Sequence, residues 1–429
     1  MNHKAPNAGK PRIQTCSYGH KHIDFTLPEN LQAVTLDIPL DAHQEEALLV
    51  YQALNTADTP LAHYTAKART VAVVISDYSR PTGTQIYTPI LINRLLELGI
   101  EREHITIVIA LGLHRPATSV EIIDLIGAEL FASMRVENHD ALHNLTYVDS
   151  IGFNATVLGA DLIVLTGAVT FHPMAGYSGG YKSLLPGVAA KEAVLENHRL
   201  FFQDHMKHPS VNPGSIDHNP VLHHILGNCA RITTPMFCLN VVLDQHKQIR
   251  FAAAGSVMHT WSACCANVRD LNSVPTDRAY PWVLASAGGS PSDFSFYQCM
   301  KVLTHGASAC SKEGTLIILA ECADGWEIDP DLLAWFSLPL DEVATLLLAD
   351  FRMDGLAVYM AMRIIHLHPV YFLSSLPPAQ VLRTGMIPLV DVESLQKLID
   401  QKVQGTLAIL PHGAQTLPLV ENGAEPKDL

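Results

Sequence analysis

Three runs in the first half of the chain are almost wholly aliphatic: Val71-Ala-Val-Val-Ile75, Ile105-Thr-Ile-Val-Ile-Ala-Leu111 and Leu162-Ile-Val-Leu-Thr166. Strands with no polar alternation are buried on both faces, which is the signature of a parallel sheet covered by helices. The connecting segments supply those helices. Thr88 to Gly99 carries Ile90, Leu91, Leu95 and Leu98 at helical spacing, and Thr118-Ser-Val-Glu121 reads as a capping box that opens a helix to Gly127. Strand, helix, strand is a βαβ unit. Thr146–Val148 is expected as a third strand and Leu162–Thr166 as a fourth, so that four strand ends point at one crevice. In open α/β sheets ligands bind beyond the carboxyl ends of the strands. The polar residues there are Asp77 and Arg80 after the first run and His114 after the second.

The rest of the chain extends this pattern. Residues 1–15 are polar, and Tyr18-Gly19 followed by Phe25-Thr-Leu-Pro28 suggests a short strand pair. Ala42 to Thr56 reads as a helix with Ala47, Leu48, Tyr51 and Leu54 on one face. Ile232–Leu243 and Ile249–Ala253 are expected strands, joined by a hairpin at 244–247. Near 273–280 the sequence Ser273-Val-Pro-Thr-Asp-Arg breaks the helical pattern, and Trp282-Val-Leu-Ala-Ser286, Gly314–Ala320 and Val370–Leu373 begin a second α/β module. The expected fold is α/β, with two domains on mainly parallel sheets and an active-site cleft between them. The first domain spans 1–275 and is rejoined by 405–429; the second spans 276–404.

Composition narrows the function classes. The 429 residues are 48% hydrophobic and 16% charged, an ordinary globular balance with room for a large core. A net charge of −14 argues against binding nucleic acid or an anionic membrane. The eight cysteines form no C-x-x-C pair, which suits a reducing compartment. The amino terminus has no apolar signal core, and no run of eighteen apolar residues occurs. A cytoplasmic, non-membrane protein is expected.

The chemistry concentrates in Val169–Phe202, VTFHPMAGYSGGYKSLLPGVAAKEAVLENHRLFF. An apolar strand enters a loop with Gly176, Gly179, Gly180 and Lys182, and a helix is expected from Ala189. Glycine amides, a helix N-terminus and a lysine together suit an anion. The loop nearly matches G-x4-G-K-[ST], but Tyr181 replaces the second glycine, which excludes a standard nucleoside-triphosphate loop. His172 precedes Lys182 by ten residues and His198 follows it by sixteen, so two imidazoles and an amine can converge. A bland reading, capped loop histidines and a surface lysine, stays open on these residues alone. The histidines at 205–224 fit no zinc spacing. Tyr297 and Lys301, at i and i+4 on a helix, also read plainly as surface residues.

Taken together, His172, Ala175-Gly-Tyr-Ser-Gly-Gly-Tyr-Lys182, Pro186-Gly-Val-Ala189 and Asn197-His198 resemble the signature of the lactate racemase family. Asp77-x-Ser-Arg80-Pro is similar to that family's D-x-T-R-x-x-P, with Ser79 for threonine and Gly83 for the second proline. Gly112-x-His-Arg-x-x-Thr-x-x-Glu121 and Tyr297-Gln298-x-x-Lys301 match as well. Residues 323–375 match less clearly. The resemblance implies a nickel-pincer nucleotide joined covalently to Lys182, with His198 as the protein ligand to nickel. It implies that His114 and His172 are the catalytic pair. Asp77, Gly179 and Gly180 would hold the nucleotide, and Arg80, Tyr297, Gln298 and Lys301 the substrate. Domain 1–275 would then be the cofactor-binding and catalytic one, with 276–404 supplying substrate-side residues.

The chemistry is consistent with that resemblance. The Cα–H of a 2-hydroxy acid is a poor acid, and its removal as hydride needs a base for the hydroxyl proton and a tethered acceptor close by. No G-x-G-x-x-G follows any strand, so diffusible NAD is not expected. The expected activity is racemisation or epimerisation of a 2-hydroxy acid, lactate or a larger relative such as a sugar acid. The expected partners are that small molecule and the cofactor-synthesis enzymes, with no nucleic acid and no membrane. Two alternatives remain: a non-catalytic nucleotide- or phosphate-binding protein, and a zinc-dependent hydrolase.

Overall fold

A computed structural model describes residues 12–38, 44–79 and 82–420. Its contacts divide into two compact units, 39–272 and 1–38 with 273–429. Each is built on its own six-stranded sheet.

In the 39–272 unit the strand order is Ile249–Gly255, Met236–Leu243, Leu162–Ala168, Val71–Ser76, Ile105–Ala110, Arg135–Asn138. All neighbours are parallel except the first pair, which forms an antiparallel hairpin. The aliphatic runs are buried on both sides as their composition requires: Val73, Val74, Ile107, Val108, Val164 and Leu165 are all fully inaccessible. From Val71–Ser76 the chain builds outward through the second and third strands, then returns to the other flank with Leu162–Ala168. The order therefore reverses between Val71–Ser76 and Leu162–Ala168. Such a reversal splays the connecting loops apart and opens a crevice at the carboxyl ends of those two strands.

Four local expectations are corrected. The third parallel strand is Arg135–Asn138, whereas Leu145–Val148 pairs antiparallel with Ile151–Asn154 in a separate ribbon. Its two central residues, Thr146 and Tyr147, are exposed, so it cannot serve as a strand covered on both faces. The helix expected from Thr88 begins at Thr84, with Pro89 inside it. The ring forfeits one backbone bond, but the buried side chains of Tyr87, Leu91, Ile92 and Leu95 hold the helix on the sheet. The helix expected from Ala42 is Glu46–Asn55, and residues 42 and 43 lie outside the described residues. It buries Val50, Ala53 and Leu54 while Leu48 and Tyr51 face solvent, so the apolar stripe is rotated from the one expected.

The fourth correction concerns the chain ends. The other unit's sheet runs Ile387–Leu389, Val370–Leu373, Cys310–Leu319, Tyr280–Ser286, Thr406–Leu410, Gln32–Thr35, with every pair parallel. Residues 406–410 thus pair with Tyr280–Ser286 and do not rejoin the first domain. The amino-terminal hairpin of Arg12–Tyr18 and Lys21–Leu27 packs Cys16, Ile23 and Phe25 into the same core as Leu284, Ile317 and Ile409. Leu407–Leu410 is fully buried, which only a strand with neighbours on both edges and cover on both faces can achieve. No described helix is long and apolar enough to cross a membrane.

Candidate functional site

Asp77 is the first residue past the Val71–Ser76 strand and is 2% exposed. Ser79 donates to its Oδ1 from both the backbone N–H, at 3.3 Å, and the hydroxyl, at 2.8 Å. Its Oδ2 lies 2.5 Å from Nδ1 of His114, which follows the neighbouring Ile105–Ala110 strand. A carboxylate only accepts, so Nδ1 carries the proton and Nε2 is left with its lone pair. The His114 ring is 31% exposed, within reach of a ligand.

The next residue holds this arrangement. The Arg115 guanidinium stacks 4.3 Å over the Tyr78 ring and forks onto Glu121 at 2.9 and 2.6 Å. Glu121 in turn closes the capping box with Thr118. Arg115 holds the Glu121 carboxyl down to about 2, against an opposing but smaller effect of burial. The clasp joins the loop of Asp77 to the loop of His114.

His172 sits in a two-residue ribbon, Phe171–His172 against Gly176–Tyr177, beyond the Leu162–Ala168 strand. Its Nδ1 accepts the backbone N–H groups of Met174 at 3.2 Å and Ala175 at 3.1 Å. The turn requires glycine at 176: φ is +74°, and a Cβ there would stand 2.1 Å from the backbone oxygen of Ser215. Gly176→Ala should cost about 2–4 kcal/mol, combining left-handed strain with overpacking against backbone that cannot yield. A denaturant midpoint equal to that of the parent protein would refute this.

Lys182 lies in the single turn Gly180–Ser183. Part of the loop's backbone is engaged within the protein. The Gly180 N–H donates to Asn240 Oδ1 at 2.9 Å, that of Lys182 to the Gly179 carbonyl at 3.1 Å, and that of Gly187 to the Lys182 carbonyl at 3.0 Å. The helix expected from Ala189 begins at Lys191, and its first N–H is taken by the Ala141 carbonyl at 2.9 Å. These particular amides are engaged inside the protein. Gly179 and Gly180 are also required for packing. A Cβ would stand 2.6 Å from Val169 at the first position and 2.8 Å from Trp261 at the second. What the loop offers a ligand is the half-buried Lys182 side chain, beside a crevice lined by Tyr181, Leu222, Met258 and Trp261.

His198, on the Lys191–Arg199 helix, is 6% exposed. Its Nδ1 donates to the Val194 carbonyl one turn earlier, at 2.7 Å, so Nε2 is the lone-pair nitrogen. Burial, and then the charge of Lys182, push its titration down to about 4. A neutral imidazole with one nitrogen anchored to a carbonyl is how proteins present a metal ligand. The Lys182 contribution also puts the amine and this imidazole within electrostatic reach of each other. A tethered group carrying a metal fits this donor set.

Two residues that organise the site went unread in the sequence. Asn240 is fully buried in Met236–Leu243, accepting from Gly180 and donating to the Gly167 carbonyl at 3.1 Å. A lone amide in the run Phe-Cys-Leu-Asn-Val-Val-Leu was the visible signal. Trp261 donates its indole N–H to the Ser178 carbonyl at 2.9 Å and backs Gly180. Asn240→Ala should destabilise the 39–272 unit by about 1–3 kcal/mol, because the Gly180 N–H is left buried without an acceptor. Thermal unfolding compared with the parent protein measures it. Of the residues expected at the substrate, Arg80 lies outside the described residues. Tyr297 and Gln298 stand on a tight turn, Tyr297–Cys299, that continues into the helix Met300–Ala309 carrying Lys301; all three are half-buried in the 273–429 unit.

Residues 18–209 match the lactate racemase N-terminal domain, and residues 276–406 match the lactate racemase C-terminal domain. The lactate racemase of Thermoanaerobacterium thermosaccharolyticum is 32% identical over 323 residues, 72% of this chain and 74% of the relative. The chain belongs to the lactate racemase family. The Lactiplantibacillus plantarum lactate racemase is likewise 32% identical, over 59% of this chain and 61% of its own. The structure of the lactate racemase apoprotein from T. thermosaccharolyticum superposes with a TM-score of 0.83 at 26% identity, over 95% of this chain and 100% of the other. A Thermotoga maritima protein shares the fold, with a TM-score of 0.65 at 17% identity over 89% of this chain and 100% of its own. As a member of the lactate racemase family the chain is an isomerase, a racemase. The N-terminal match covers four strands of the first sheet, Val71–Ser76, Ile105–Ala110, Arg135–Asn138 and Leu162–Ala168, and the C-terminal match covers four of the second, Tyr280–Ser286, Cys310–Leu319, Val370–Leu373 and Ile387–Leu389.

Proposed function

We propose that this family member racemises or epimerises a 2-hydroxy acid, lactate or a close relative, using a nickel-pincer nucleotide joined to Lys182. The observation that carries the proposal is the buried His198, whose Nδ1 is anchored to the Val194 carbonyl so that Nε2 is left as the lone-pair nitrogen, on the helix that follows the Lys182 turn. Lys182 lies in the Gly180–Ser183 turn and His198 on the Lys191–Arg199 helix, both in the segment that follows the Leu162–Ala168 strand. When bound, such a group supplies a reversible acceptor for the hydrogen at the stereocentre as hydride. The protein supplies the rest. Lys182 holds the group through its side-chain nitrogen, and His198 offers Nε2 to the metal. His114 takes the substrate's hydroxyl proton at Nε2, since its Nδ1–H is committed to Asp77. Asp77 keeps that ring in the basic tautomer and stabilises the imidazolium that forms. His172, from a different strand end, addresses the same oxygen. Arg80 and Lys301 remain assigned to the substrate carboxylate as part of this proposal.

The test is to produce the protein together with the cofactor-synthesis enzymes, then measure intact mass, bound nickel and racemisation of a panel of 2-hydroxy acids. The expected result is a covalent adduct, nickel near one per chain, and conversion of at least one acid in both directions. Protein with adduct and nickel that converts none would reduce the chain to a binding protein. Zinc retained with hydrolysis but without an adduct would indicate the hydrolase.

A further inference from the structure

The two histidines receive their Nδ1 hydrogen bonds from opposite sides of the donor–acceptor ledger. His114 Nδ1 faces a carboxylate oxygen, which can only accept. His172 Nδ1 faces two backbone N–H groups, of Met174 and Ala175, which can only donate. A neutral imidazole carries one proton. Hence His114 must be the Nδ1–H tautomer and His172 the Nε2–H tautomer.

From this we infer that the pair is not a set of interchangeable bases, and that in this conformation His172 is a hydrogen-bond donor to the substrate oxygen. The inference rests on the racemase reading for its functional meaning. Donating that proton outright would leave an imidazolate, and accepting one at Nε2 requires a nitrogen that is already protonated. Protonation at Nδ1 would turn a proton toward two N–H groups and break both bonds. His172 therefore polarises the oxygen, as a neutral imidazole can, while His114 accepts and returns the hydroxyl proton. His172 acts as a base only if the 172–175 turn releases Nδ1 and the ring changes tautomer. The kinetic signature is hidden from one familiar measurement. Two enantiomers are equal in free energy, so kcat/KM is the same in both directions whatever the two rings do.

The tautomers themselves are directly readable. Protein carrying 15N-histidine, without the cofactor and held at about pH 8 so that exposed imidazoles are neutral, gives long-range proton–nitrogen spectra. Those spectra distinguish Nδ1–H from Nε2–H rings. His114→Gln and His172→Gln each delete one ring and assign it, with circular dichroism confirming the fold. If either substitution disturbs the fold, His→Asn at the same position provides the assignment. The expected result is Nδ1–H for the signal lost with His114 and Nε2–H for the signal lost with His172. Finding His172 as Nδ1–H, as an even mixture, or in the same tautomer as His114 overturns the inference. Because the cofactor-free protein is probed, a failure of the racemase reading appears in the turnover assay and leaves these spectra unchanged.

Discussion

Replacing Lys182 by alanine should abolish cofactor attachment and all turnover while the protein stays folded. The backbone around Lys182 does not depend on the side chain. Its N–H donates to Gly179 and its carbonyl accepts from Gly187, and alanine retains both bonds. The stability change should therefore stay within about 1 kcal/mol. The amine, in contrast, has no substitute as a tether. Intact mass of the co-produced variant should equal that of the bare chain. Lys182→Arg keeps a positive charge near His198 but offers no amine to acylate, so it should be equally empty. If arginine restored binding, charge and not covalency would be what the position provides. His198→Ala separates the two functions: the adduct mass should persist while nickel falls. An adduct that survives in Lys182→Ala would place the tether elsewhere and remove the central element of the proposed site.

How much of this was readable beforehand follows from what kind of information each feature carries. The strands of the first sheet are legible because burial on both faces forces β-branched runs, and Val71–Ser76 and Ile105–Ala110 could hardly be anything else. Asp77, His114 and His172 are legible as rim residues because they follow such runs. Their partners are not. The Asp77–His114 contact spans 37 residues and depends on two strands being neighbours, which no periodicity encodes. The Gly-rich loop is only partly legible for a related reason. Glycine reports that backbone comes close to something without saying to what, and at Gly180 the structure places Trp261 and Asn240 there. The chain ends were misplaced because Leu407–Leu410 satisfies burial equally well in either sheet. Only the pairing with Tyr280–Ser286 and Gln32–Thr35 decides it.

The Asp77–His114 pair yields the second large effect, and it comes with an ordering that a merely structural role does not predict. Asp77→Asn is nearly isosteric and buried, so the fold should hold. Ser79 donates twice to Oδ1, which fixes the asparagine carbonyl on that side and turns its NH2 toward His114 Nδ1. A donor facing Nδ1 forces the ring into the Nε2–H tautomer, the form that cannot accept the substrate's proton at Nε2. Turnover should fall by about 10²–10⁴, the usual worth of a general base and its correct tautomer. Asp77→Ala removes the carboxylate without imposing the wrong tautomer, and His114 then samples both. Alanine should therefore retain more activity than asparagine, although it is the larger excision. Adduct mass and nickel should be normal in both variants. If instead the two lose cofactor to the same degree and their histidine spectra match the parent, Asp77 holds the nucleotide, as the family resemblance implies, and its contact with His114 is incidental.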